Sequence, residues 1–162
     1  MANKPTHEEL KKRLKELQEE LKLTQKALRE GEETYRLHFQ NASDVLFSID
    51  PELKILNVSP SVERIIGYKP EELIGESFLD LGLVADEYLE AASSDAMCAL
   101  SGERIPSSVY AIIAKDGTRK FGEVSAAPLV RKGKVVGIVC IARDITDIIF
   151  KIAVTAGVII AA

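Results

Sequence analysis

The chain contains no tryptophan, and aromatic residues fill only 6% of its 162 positions. Stacking platforms for bases or sugars are therefore not expected. Two cysteines, Cys98 and Cys140, are too few for a disulfide framework and leave no CxxC pair for zinc. An excess of positive charge is missing too. Lys and Arg number 21 against 25 Asp and Glu, a formal net charge of -4. A nucleic-acid partner needs a basic surface to neutralise phosphates, so none is expected. The sequence has no P-loop and no GxGxxG. Its start, Met-Ala-Asn-Lys-Pro, is charged at once and lacks the apolar stretch of a signal peptide, so a cytoplasmic, reducing setting is expected.

What is present suits one domain with a modest extension. The hydrophobic class makes up 46% of the residues and the charged class 28%, enough apolar material for a core. The length is too small for a two-lobed kinase or polymerase. Residues 1–40 carry nine basic and eight acidic side chains; residues 41–162 carry twelve and seventeen. The first block is dense in Glu, Lys, Leu and Gln, the second in Ile and Val with turn punctuation. The boundary is expected near residue 40.

Thr6 to Phe39 holds no proline and is built from strong helix formers. Thr6 followed by Glu9 fits a capping box. Leu10, Leu14, Leu17, Leu21, Thr24, Leu28, Gly31 and Tyr35 step by four and three alternately, the period of a left-handed coiled-coil seam. So narrow an apolar stripe has little to bury against, and a second copy of the chain is the simplest partner. The other reading is a helix packed on its own domain. The flanking charges do not decide between parallel and antiparallel pairing.

Beyond residue 40, short apolar runs alternate with turn signals. Asp44–Ile49 and Lys54–Val58 flank Asp50-Pro51-Glu52-Leu53, a hairpin connection. The spacing predicts a short helix from Ser61 to Gly67 with Ser59 or Ser61 as N-cap. It predicts one helical turn at Pro70–Leu73 and a longer helix from Asp86 to Leu100, with Leu89, Ala92, Ala96, Ala99 and Leu100 inward. Strand logic returns in Ser108–Ala114, Arg119–Val130 and Val135–Ala142, linked by Lys115-Asp116-Gly117-Thr118 and Arg131-Lys132-Gly133-Lys134. An antiparallel sheet of five is expected, an α+β fold. Val135–Ala142 is apolar throughout, which predicts a central strand covered on both faces, one by the helical insert and the other by the N-terminal helix or a second subunit.

The tail, Ile148 to Ala162, is fifteen residues with one Lys. As a helix it spans roughly 22 Å at about 1.5 Å per residue, short of the ~30 Å hydrocarbon core. A truncated membrane span, a strand and an appended remnant all fit it.

The run Ile55-Leu56-Asn57-Val58-Ser59-Pro60-Ser61-Val62-Glu63-Arg64-Ile65-Ile66-Gly67-Tyr68-Lys69-Pro70-Glu71-Glu72-Leu73-Ile74-Gly75 closely resembles the central signature of PAS sensor domains. Lys115-Asp116-Gly117-Thr118 is similar to the family's hairpin between its third and fourth strands. Ala142-Arg143-Asp144-Ile145-Thr146 resembles its Asp-Ile-Thr exit motif. The resemblance covers about residues 35–146. It implies a sheet of order 2-1-5-4-3 with a helical insert cupping one face. It divides the chain into a coiled-coil helix (1–36), a PAS domain (37–146) and an apolar tail (147–162).

It further implies a sensory or dimerisation module of a signalling protein, such as a two-component histidine kinase or a diguanylate cyclase. The output kinase or cyclase domain is absent from this sequence. Flanking helices would carry the signal, with Asp144 and Thr146 coupling the last strand to the exit. The dimer seam would be Leu10, Leu14, Leu17, Leu21 and Leu28. A cavity, holding a small molecule or simply filled, would be lined by Val45, Phe47, Val62, Ile66, Phe78, Leu79, Met97, Val124, Ile138 and Cys140. The first case makes a ligand sensor and homodimer, the second a ligand-free interaction module.

The sequence departs from the family at three points. Ser59 stands where many members have Asn. The flavin photosensor signature Asn-Cys-Arg-Phe-Leu-Gln is absent, which argues against thiol-adduct photochemistry. The exit runs into an uncharged tail rather than a charged helix. Haem is not expected either, because the Asp86–Leu100 helix offers Met97 and Cys98 but no His. His7 and His38 lie in no motif that orients a base, and Glu71-Glu72 and Asp86-Glu87 sit in helix first turns, where the macrodipole favours them. No catalytic constellation and no metal site is found, so no enzymatic activity is expected.

Overall fold

The structure, a computed structural model, describes residues 6–157. Residues 158–162 of the apolar tail lie outside the described residues. The chain divides between His38 and Phe39 into a helical unit and a sheet unit.

The helix α1 runs His7–Gln40, 34 residues, and buries none of them. Its start is held as the Thr6/Glu9 spacing predicts. The Thr6 amide donates to Glu9 Oε2 at 2.7 Å and the Glu9 amide to Thr6 Oγ1 at 3.3 Å. Hydrogen bonding from the Thr6 backbone, and then from its side chain, holds the Glu9 carboxyl below the usual range. Farther along, Lys26–Glu30 and Arg29–Glu33 pair one turn apart. The leucines of the 3.5-residue seam stand exposed, Leu14 by 57% and Leu28 by 63%.

The sheet unit has strands β1 (Val45–Ile49), β2 (Ile55–Val58), β3 (Ile105–Ile113), β4 (Arg119–Arg131) and β5 (Lys134–Asp144). They form one sheet of order β2-β1-β5-β4-β3, with every neighbouring pair antiparallel. Turn chemistry sets the hairpins. Asp50 Oδ1 accepts the amides of Glu52 and Lys54, each at 2.9 Å, and Asp116 Oδ1 accepts that of Thr118 at 2.9 Å. Lys132 and Gly133 both take positive φ, 48° and 75°, the two-residue turn that matches strand twist.

Between β2 and β3 lie α2 (Ser61–Ile66), α3 (Pro70–Leu73) and α4 (Asp86–Leu100). The helix α2 ends at Gly67 in the left-handed conformation, its amide donating to Glu63 O. Its N-cap is Pro60, not a serine, and no side chain caps it. The serines are spent elsewhere. The Leu46 amide donates to Ser59 Oγ at 2.9 Å, and Ser61 Oγ donates to Asp44 O at 2.8 Å. With the Ser61 hydrogen committed, Ser59 donates across the 2.6 Å gap to Ser61 Oγ. The two hydroxyls thus tie the start of α2 to β1 and the residue before it, and each buried oxygen is satisfied.

The chain leaves through α5 (Thr146–Thr155), so the first part of the tail is a helix rather than a strand. Among the described residues no helix is long and apolar enough to cross a membrane.

The strand β5 lies between β1 and β4, the central place that its apolar run predicts. Its inner face is buried at Ile138 and Cys140. Its other face is not fully covered: Val139 is 41% exposed and Ile141 43%.

Candidate functional site

Antiparallel partners share a face of the sheet. The pairs Val45–Ala142 and Val124–Ala142, then Phe47–Cys140 and Ala126–Cys140, therefore build one continuous inner wall. Opposite stand Val62 and Ile66 of α2, Leu73 of α3, Phe78 of the following turn, and Ala92 and Ala96 of α4. Alanines on α4 let the helix approach while leaving space that larger side chains would fill. The result is a cavity of about 160 Å³. Burial in its wall pushes the Cys140 thiol up to about 12, so it remains protonated near neutral pH.

Eight of the ten residues expected around a cavity line it: Val45, Phe47, Val62, Ile66, Phe78, Val124, Ile138 and Cys140. Leu79 and Met97 do not. Phe78 lines the wall, and Leu79 is simply the next residue of the turn. Met97 is one step, about 100°, round α4 from buried Ala96 and is 58% exposed. No histidine is part of the lining, and neither Met97 nor Cys98 joins it.

Polar groups of the wall escape a reading by apolar pattern. Asp95 of α4 and Tyr110 of β3 line the cavity. Tyr110 Oη and Ser108 Oγ both donate to Asp95 Oδ2, each at 2.5 Å. Burial, together with the Asp95 bond, pushes the Tyr110 hydroxyl up to about 12. The signal was present in the sequence. Asp95 falls three residues after Ala92 and four before Ala99, on the inward stripe, and Ser108 and Tyr110 alternate onto the face of Val124.

The inner wall continues along β5 to Asp144, at the mouth of the exit. Asp144 Oδ1 accepts from the Thr146 amide at 3.0 Å and from Thr146 Oγ1 at 2.5 Å; Oδ2 accepts from Lys120 Nζ at 3.1 Å. Burial pushes the Asp144 carboxyl up, but the Thr146 and Lys120 bonds outweigh it and hold the group below the usual range. Thr146 Oγ1 in turn accepts the Phe121 amide at 2.9 Å, and the Ile145 amide donates to Phe121 O at 2.9 Å. The first turn of α5 is pinned to β4 through both backbone groups of one residue.

Residues 39–148 match the PAS fold family over most of the chain's length. The chain belongs to the PAS fold family. It is 30% identical over 135 residues to the methanogenesis regulatory histidine kinase FilI of Methanothrix harundinacea, 83% of this chain but 15% of FilI. The chain thus spans a small part of that relative. A domain of the sensory box sensor histidine kinase/response regulator from Geobacter sulfurreducens superposes with a TM-score of 0.59 at 26% identity, covering 72% of this chain and 96% of that domain. The PAS domain of a Colwellia psychrerythraea protein gives 0.62 at 21% identity, over 71% and 97% of the two chains, and shows the fold. The PAS fold is consistent with a sensory or signalling role. Among the described residues of this PAS chain, no group of three or more His, Cys, Asp or Glu is placed to hold a metal ion.

Proposed function

We propose that this chain is a sensory PAS module without chemistry of its own, which binds a small molecule between its sheet and α2–α4 and relays occupancy through α5. One observation carries the reading: the cavity wall and the exit are the same strand. The strand β5 contributes Ile138, Cys140 and Ala142 to the cavity and ends in Asp144, which anchors Thr146 at the start of α5. A ligand pressing on β5 therefore acts on the residues that fix the direction of α5. The unfilled 160 Å³ favours this reading over an interaction module with a filled core.

The seam Leu10, Leu14, Leu17, Leu21 and Leu28 supports a homodimer through α1, which sets two such modules side by side. The likeness to FilI supports service to a histidine kinase of a two-component system. A melting-temperature screen of small, mainly apolar molecules tests the ligand half. A compound that raises the melting point and alters amide exchange in α5 supports it. A screen in which nothing of that size shifts the melting point sinks it.

A further inference from the structure

The cavity has a built polar corner, and its donor–acceptor balance is one-sided. Asp95 reaches it from α4 and Tyr110 from β3, while Ser108, outside the lining, bonds the same carboxylate. Each hydroxyl has one hydrogen, and both are spent on the same oxygen, Asp95 Oδ2. Among the described residues, no hydrogen bond falls on Asp95 Oδ1. At this corner the lining therefore offers acceptors only: Asp95 Oδ1 and the remaining lone pairs of the Tyr110 hydroxyl. The wall beside it is apolar, from Val124, Ala92 and Ala96, and the two cations of the lining, Lys120 and Arg143, are paired with Asp144 and Asp44. A half-buried carboxylate with an unused oxygen beside an apolar space gains from a ligand donor and is opposed by a ligand anion.

Size sets the other limit. An apolar cavity of about 150 Å³ holds a benzene-sized molecule. We propose that the cavity takes a small neutral molecule, an apolar body the size of a single ring carrying one hydrogen-bond donor, whose O–H or N–H is received by Asp95 beside Tyr110 and Ser108. The inference rests on the ligand reading above and specifies its chemistry. The raised Tyr110 hydroxyl keeps its proton on Asp95 across the neutral range, so the corner retains this polarity.

Phenol and toluene are nearly the same size and differ by the donor, which makes them the probes. Amide NMR titrations of the full chain are expected to show phenol binding about tenfold tighter than toluene, the worth of one hydrogen bond to a charged group after desolvation. The largest phenol-specific shifts should fall on Asp95, Ser108 and Tyr110. In Asp95→Asn the amide oxygen must take the two hydroxyl protons, which turns the NH2 group toward the ligand. The phenol preference should then shrink, because only a weaker neutral bond from that NH2 group to the phenol oxygen remains, while toluene binding stays. Equal affinity of the unaltered chain for both probes overturns the donor inference and leaves the cavity reading standing. Failure of both probes to bind overturns the two together. An undiminished preference in Asp95→Asn also overturns the role given to Asp95. If that variant does not fold, the comparison on the unaltered chain decides alone.

Discussion

The Thr146 hydroxyl donates to Asp144 Oδ1 at 2.5 Å, and the amide of Thr146 donates to the same oxygen at 3.0 Å. One carboxylate oxygen thus receives both donors of the first residue of α5, and Lys120 holds the other oxygen. Asp144→Ala removes the acceptor while the buried strand core, Ile138 and Cys140, stays in place. Hydrogen exchange should become faster across residues 143–150 and stay unchanged in β1 and α4. Unaltered exchange in that segment with unaltered melting would make Asp144 an ordinary surface residue.

The same carboxylate gives a pH dependence whose sign follows from its lowered native pKa. An unfolded Asp titrates near about 3.9. Above that value the stabilisation from Asp144 is fully present. It is lost as pH falls through the lower native value, because the folded state then takes up the proton last. The stability gap between the unaltered chain and Asp144→Asn should therefore be widest near neutral pH and close on the acid side. A gap that widens toward acid would contradict the assignment.

Much of this arrangement was legible in the sequence because turn chemistry and periodicity are local. Asp116-Gly117 set the β3–β4 hairpin, Thr6 and Glu9 set the start of α1, and the unbroken apolar run of β5 marked the central strand. What escaped the sequence depended on contacts far apart in the chain. Ser59 and Ser61 read as helix caps, but Leu46 of β1 and Asp44 just before it recruit their hydroxyls across 13 and 17 residues. Asp95 sits on the inward stripe of α4, but Tyr110, the partner that gives it a role, lies 15 positions away. Met97 is expected in the cavity lining from the family resemblance, whereas the Ala92, Ala96 and Ala99 stripe decides which side of α4 is buried.

Gly137 marks a close approach that no local pattern announces. A Cβ built there would stand 2.4 Å from Ile49 O, on the neighbouring strand β1. The obstacle is backbone, so it cannot swing aside. Gly137→Ala should cost about 1–3 kcal/mol by overpacking, read as a lower denaturation midpoint at an unchanged slope. A neutral effect would show that β1 and β5 can part there without penalty.

Dimerisation through α1 is tested by charge on its seam. Leu14→Asp with Leu21→Asp should abolish or weaken self-association by at least about tenfold, since two apolar seam positions then carry like charges in each helix. Sedimentation velocity reads this directly. The melting of the sheet unit should be untouched, because no α1 residue is buried. Undiminished dimers would place the contact outside the seam.

The central claim is that cavity occupancy reaches α5 along β5. Hydrogen exchange of residues 143–155 tests it most directly, measured with the cavity empty and then saturated by a molecule that the melting screen identifies. The account predicts a several-fold change in exchange within the first turns of α5, together with protection at Cys140 and Ala142. Protection confined to the cavity wall, with α5 exchanging at its original rate, would contradict it.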